Sequence, residues 1–366
     1  MKIFAFVILT VILFGTSFAT LYAGEFDSIE TQIRALDMSE MDQVTGGRGF
    51  SDLVVRAVNG QLDLSPRGIL TWVADSFLRE VIDLLSIMRG FFIIALLGAV
   101  FKVLCASFTQ KAVAELGFYV NYLIAVSLLL SSFLICVDLM NGLIGTLSGI
   151  MEAAVPLMIS VTVMAGSGVK AYALNPVILF GTTFISSFVK NFITPVIISA
   201  AVLQIVNYLM EKEMLQRLTL LIKNTVAWSL KITAIAFSSI LALQGITAPI
   251  VNNLAARSAK FAINSVPVVG VAMSGAVDTV LFAAGSIRSG VMASVLVTVV
   301  TTCAFPLMKI AAFIFVYKLA AGVLQPVCDE RIVGLIDSIG GFAALILGAC
   351  TVVVGMFVFM VVVMLS

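Results

Sequence analysis

Histidine is absent from all 366 residues. That removes imidazole metal sites, Ser/His/Asp triads and the usual proton shuttle. Charge is scarce: 11% of the chain is charged, against roughly 25% in an ordinary soluble domain. A soluble chain of this length buries a large core but still needs polar residues to cover its surface. Here 61% of residues are apolar, so lipid is the solvent for most of the chain. These shortages exclude a cytosolic enzyme and a nucleic-acid binder with a basic face. No Walker motif, HExxH pair or phosphate-cradling glycine loop occurs. The chain is read as a non-enzyme without catalytic residue, cofactor or metal. The five cysteines (Cys105, Cys136, Cys303, Cys328 and Cys350) are odd in number, scattered, and never spaced as CxxC. All but Cys328 lie inside apolar runs, so they read as small buried apolar residues rather than disulfide or metal partners.

What is present begins with a targeting pattern. Met1-Lys2 supplies a minimal basic start, Ile3 to Gly15 an apolar core, and small residues follow. Residues 1–23 therefore read as a signal peptide cleaved after Ala19 or Ala23. The alternative is an uncleaved first helix, although the apolar stretch is shorter than the roughly 20 residues a crossing needs. Either way the N-terminus is exported. Residues 24–89 differ from the rest: eleven acids stand against six arginines, a net −5, and lysine is missing. An exported segment has no call for basic residues, so this is an acidic extracytoplasmic segment. Ser65-Pro66-Arg67-Gly68 predicts a helix start, followed by apolar positions near helical spacing. This helix, and a weaker one over Asp52 to Leu64, reads as lying on the membrane, binding a partner, or leading into the first span.

From Gly90 to Ser366 apolar runs follow one another, and the expectation is an all-α, polytopic transmembrane bundle of six to ten crossings. Phe91–Phe108, Phe118–Val137, Asn141–Ala165, Val226–Gln244, Leu254–Ala276 and Gly341–Leu365 read as separate segments. Val177–Met210 and Val291–Leu324 are too long for one straight span and read as hairpins broken at Lys190-Asn191 with Pro195, and at Pro306. An internal repeat is suggested at an offset of 111: Pro156 falls on Pro267, Pro195 on Pro306, and Asn141 on Asn252. The copies would be 117–210 and 228–321. Paired broken helices mark transporter-like folds, because a proline frees a carbonyl where there is no water. A plain kink packed against a neighbour is the alternative.

An ionisable residue at mid-membrane costs at least roughly 2.5–3.5 kcal/mol on insertion scales. Lys102, Glu152, Lys190, Asp278 and Lys309, with Asn191, are the candidates for an intramembrane polar seam; Pro156, Pro195, Pro267 and Pro306 are the candidate breaks. Lys231 also lies within an apolar run, and Lys102 and Lys318 stand where they could snorkel to a helix end. The same set could equally form inter-helix or inter-subunit ion pairs. Gly142, Gly145 and Gly149 form small faces that let helices approach closely.

The order of these features resembles the stage III sporulation protein AE family of endospore-forming bacteria. The likeness rests on the signal, the acidic helical ectodomain, Asn141 to Val155-Pro156, Leu174-Asn175-Pro176-Val177, and Lys190-Asn191-Phe192-x-x-Pro195. It implies a permease-like membrane subunit of a secretion-like channel complex in the outer membrane around the forespore. Its expected partners are other membrane subunits, a forespore partner across the intermembrane space, and the lipid bilayer, with no nucleic acid. It implies no catalytic residue. Two alternatives stay open: an independent secondary transporter with a midplane site at the repeat interface, and a purely scaffolding subunit.

Overall fold

The structure, a computed structural model, describes residues 66–106, 111–166, 168–210, 215–264, 269–326 and 328–365, with Met41 and Val54–Val55. The expected signal peptide and the acidic segment up to residue 65 lie outside these, Met41 and Val54–Val55 apart. Every described regular element is helical: α1 Pro66–Ala106, α2 Lys111–Met164, α3 Gly168–Phe188, a π-turn Val189–Ile193, α4 Thr194–Leu209, α5 Gln216–Asn264, α6 Val269–Leu324 and α7 Glu330–Leu365. In hydrocarbon the backbone must satisfy itself, and a helix does so within one segment. Among the described residues, six helical stretches are long and apolar enough to cross a membrane, with α3, the π-turn and α4 counting as one.

Helix α1 begins at Pro66, as the sequence predicts; proline suits a first turn whose N–H would be unbonded anyway. α1 runs without a break through Arg89. Two residues past the end of α2 stands Gly166, whose φ of 75° suits glycine and whose N–H reaches the carbonyl of Val163 at 3.0 Å. Helix α7 is the central post and packs against α2 through α6. Its buried residues Leu335, Ile339, Phe342, Ile346, Cys350, Val353, Phe357 and Met360 recur at helical spacing. Lipid tails are as apolar as these side chains, so close packing and buried hydrogen bonds, rather than escape from water, join the helices. Tyr317 donates to Ser132 at 2.8 Å, which ties α6 to α2. Tyr122 donates to the carbonyl of Ile205 at 2.6 Å, which ties α2 to α4. Asn207 accepts the N–H of Leu215 at 2.8 Å just ahead of α5. Arg288 donates to the carbonyl of Met364, one of the last carbonyls of α7 that no helical N–H reaches.

Three expectations change. The separation of Phe118–Val137 from Asn141–Ala165 is absent: apart from Ala165, both fall on α2, 54 residues long, which passes through Asn141 and Pro156 without a break. Val177–Met210 is one span, not a hairpin. Val291–Leu324 lies wholly inside α6, which passes through Pro306. The reason is that one proline removes only one donor, and neighbouring groups or a local π adjustment re-satisfy the helix. At Pro195 this adjustment is visible. The ring would crowd the preceding turn, so the helix widens, and both the N–H and the hydroxyl of Thr194 reach the Val189 carbonyl, the hydroxyl at 2.9 Å. Thr194→Val should therefore lower stability by about 1 kcal/mol, read as a lowered thermal midpoint in detergent. Pro195 follows a π-turn while Pro306 sits in unbroken α-helix, so the 111-residue offset does not carry over to local structure at this pair. The expected break at Pro267 lies outside the described residues.

Cys136, Cys303 and Cys350 are buried, and Cys328 is half-buried in the turn before α7. Burial holds the Cys328 thiol above its ordinary range, with the Asp329 backbone partly opposing this. Only the thiolate attacks a maleimide. Its labelling should thus be slow at pH 7 and accelerate as pH rises beyond the usual thiol range.

Candidate functional site

Gly142 stands at the middle of the apolar stretch Tyr119–Met164 of α2. That stretch, 46 residues, is about 69 Å long at ~1.5 Å per residue, against ~30 Å of hydrocarbon. Its ends reach beyond the hydrocarbon or tilt to stay within it; its middle is the part that lies deep. The π-turn is near the middle of Ile178–Leu209, and Ala304 is at the middle of Ala284–Leu324. Polar groups from all three helices meet at this level.

On one side of α2 is Lys190, carried by the π-turn. A Cβ placed on Gly145 would lie 3.3 Å from its Nζ, so the ammonium rests in the notch that this glycine leaves. One turn away Ser148 and Ser186 are 2.6 Å apart. Ser148 donates to the Ile144 carbonyl at 2.9 Å, so Ser186 is the donor to Ser148. Along the outer side of α3 and the π-turn, Phe180, Phe184, Phe188 and Phe192 stack with ring centres 5.7, 5.9 and 5.3 Å apart.

Beside the same turn of α2, an open groove of about 350 Å³ runs between α2 and α6, lined among others by Asp138, Gly142, Thr146, Thr302 and Pro306. Pro306 has no N–H, so the carbonyl four residues earlier, that of Thr302, loses its helical donor. Lys190 and Pro306 thus both lie near one turn of α2, Gly142 to Thr146.

The other sequence candidates are spread out. Glu152 is exposed on α2, about two turns beyond Gly145, and Asn191 is exposed beside Lys190. Lys309 is half-buried, its Nζ 5.6 Å from the centre of the Phe305 ring. Lys231 is exposed on α5, near the Trp228 ring. The side chains of Lys102 and Asp278 lie outside the described residues. Among the described residues no carboxylate is in ion-pair contact with Lys190 or Lys309; the pair that forms is Lys318 with Asp337, at 2.6 Å and about half exposed, where such a contact contributes about 0–1 kcal/mol. Sequence reasoning passed over Asp138, Thr146, Ser148, Ser186 and Thr302. Asp138 falls between the segments read as Phe118–Val137 and Asn141–Ala165. Ser and Thr carry too weak a signal to stand out in membrane helices.

An all-α bundle whose helices are long enough to cross a membrane, with polar groups gathered at their middle, defines a polytopic membrane protein. Residues 49–366 match the family model described as Stage III sporulation protein AE, and the chain belongs to that family. It is 26% identical over 301 residues to the Stage III sporulation protein AE of Bacillus subtilis (strain 168), an alignment covering 82% of this chain and 75% of the relative. No solved structure matches the chain.

Proposed function

We propose that the chain is a permease-like, multi-pass component of a channel or secretion-like complex that links mother cell and forespore and is needed for forespore development. Membership of the sporulation family supports the setting. The observation that carries the permease-like part is the polar level at the middle of α2, where Lys190 and the Asp138 groove lie near one turn. Charged and hydroxyl groups at that depth are costly unless they face protein or water. In this reading the signal exports the N-terminus, and the acidic segment ahead of the first span, Phe77–Gly98, faces the space between the two membranes, where it meets a partner. The bundle sits in the outer membrane around the forespore with other membrane subunits of the same complex. Affinity purification from sporulating cells should recover those subunits; recovery of the chain alone from cells in which it is functional removes the complex from the proposal.

Topology supplies a second check. With six alternating crossings and an exported N-terminus, the turn holding Cys328 is cytoplasmic. A Ser51→Cys protein in intact protoplasts should react with a membrane-impermeant maleimide at residue 51, whereas Cys328 reacts only after lysis. The opposite pattern inverts the whole arrangement. The groove beside α2 also favours a second reading, an independent secondary transporter, which purified protein in liposomes would reveal by moving a solute without partners.

A further inference from the structure

Thr183, Ser187, Asn191, Pro195 and Ser199 follow one another at a spacing of four, and all are exposed on the outer face of α3, the π-turn and α4. At ~1.5 Å per residue, Ser187 and Ser199 lie within about 10 Å of the middle of Ile178–Leu209, inside ~30 Å of hydrocarbon. Hydroxyls in apolar helices usually bond back to the preceding turn. Ser199 does so, to the Pro195 carbonyl at 2.8 Å. The side chains of Thr183, Ser187 and Asn191 make no hydrogen bond among the described residues. A carboxamide carries two donors and an acceptor, and lipid offers them nothing. The π-turn bears on the alignment. A row spaced by four drifts around an α-helix of about 3.6 residues per turn. The wider π-turn takes back part of that drift, so the row stays on one face beyond Pro195.

We propose that this face is where a second copy of the chain docks, with Asn191 against the partner subunit's Asn191. The chemistry of the row selects this occupant. Insertion gives both copies the same orientation. Two such copies are related by a two-fold axis along the membrane normal, so residues at the centre of the seam meet themselves at their own depth. A carboxamide is its own complement, each one donating to the other. The row carries no charge, and the neighbouring ammonium of Lys190 lies in the Gly145 notch of α2, so no oppositely charged partner is called for. Small side chains let the two backbones approach. The rings of Phe184 and Phe192, 46% and 48% exposed, stand beside the row and add contact area along the seam.

The inference goes beyond the channel reading, and copurified subunits do not decide it, because self-association is read on the purified chain. In mild detergent, light scattering should give twice the mass of one copy. Asn191→Leu should weaken the pairing about tenfold, the effect of losing interhelical carboxamide bonds, whereas Asn191→Gln keeps a carboxamide and should keep the pairing. Asn191→Leu adds only apolar surface toward lipid, and a wild-type elution profile of its monomer checks that it is folded. The second measurement leaves the rest of the chain native. In membranes, a mild oxidant should link Asn191→Cys to a second copy, and should not link Ile235→Cys, which is 67% exposed on α5. A monomeric wild-type chain, undiminished pairing in Asn191→Leu, or an equal dimer band from Ile235→Cys overturns the proposal. So does a link from Asn191→Cys to a different protein, which would assign the face to another subunit's helix.

Discussion

Lys190→Leu should reach the membrane at normal levels and yet fail to support sporulation, with heat-resistant spores falling toward the count of a strain lacking the protein. Insertion is not the obstacle, since exchanging a mid-span lysine for leucine favours insertion by about 3 kcal/mol. What is lost is the ammonium that fills the notch over Gly145 at the middle of α2. The same notch offers an independent test. Gly145→Ala places its methyl 3.3 Å from Nζ, a contact that a flexible lysine relieves by a small shift, so this variant should be close to normal. Gly145→Leu fills the space and should reproduce the Lys190→Leu defect. Lys309→Leu should do less, because its ammonium lies against the Phe305 ring and away from that notch. Normal sporulation by the Lys190→Leu/Lys309→Leu double variant would leave helix packing as the whole role of this level.

The chemistry of the solvent made the helical, membrane-embedded class legible: 61% apolar residues and 11% charged ones admit little else. Pro66 as a helix start was readable because the first turn of a helix is a local event. The hairpins were misread for a reason of scale. A run of 34 residues exceeds what one bilayer needs, so the proline nearest its middle looked like a turn. Yet α2 and α6 hold span-like stretches 46 and 41 residues long as single helices, and length alone does not oblige a chain to turn back. Nor does a proline, when the helix widens just ahead of it and the threonine directly before it offers both N–H and hydroxyl to the Val189 carbonyl. Lys190 was found because a charge in an apolar run is conspicuous. Its partner surface, Gly145, was visible only as one more small residue, since whether a glycine faces lipid or a lysine depends on which helices become neighbours. Asp138 falls between the segments read as Phe118–Val137 and Asn141–Ala165, so the groove it lines had no signal in the sequence.

Gly181→Ala should be among the most damaging single-methyl changes in the bundle, and shortening Phe237 should relieve it. Gly181 lies on α3 where the Phe237 ring of α5 presses against its backbone, so a Cβ there would overlap the ring; the Met360 side chain of α7 is 3.5 Å away on the same site. Phe237 is 8% exposed and belongs to the buried core, and α7 behind it is the central post of the bundle, so the ring has little room to withdraw. Overpacking of this kind costs about 1–3 kcal/mol. It should appear as a lower thermal midpoint in detergent and reduced protein in the membrane. Phe237→Leu alone leaves a gap and should also destabilise. The combination Gly181→Ala/Phe237→Leu should be more stable than the sum of the single effects predicts, by about 0.5–3 kcal/mol, the range for residues in direct contact. Strict additivity would mean that α3 and α5 do not meet at this point. The order in which the helices pack around α7 would then have to change, and with it the path by which the π-turn brings Lys190 against Gly145.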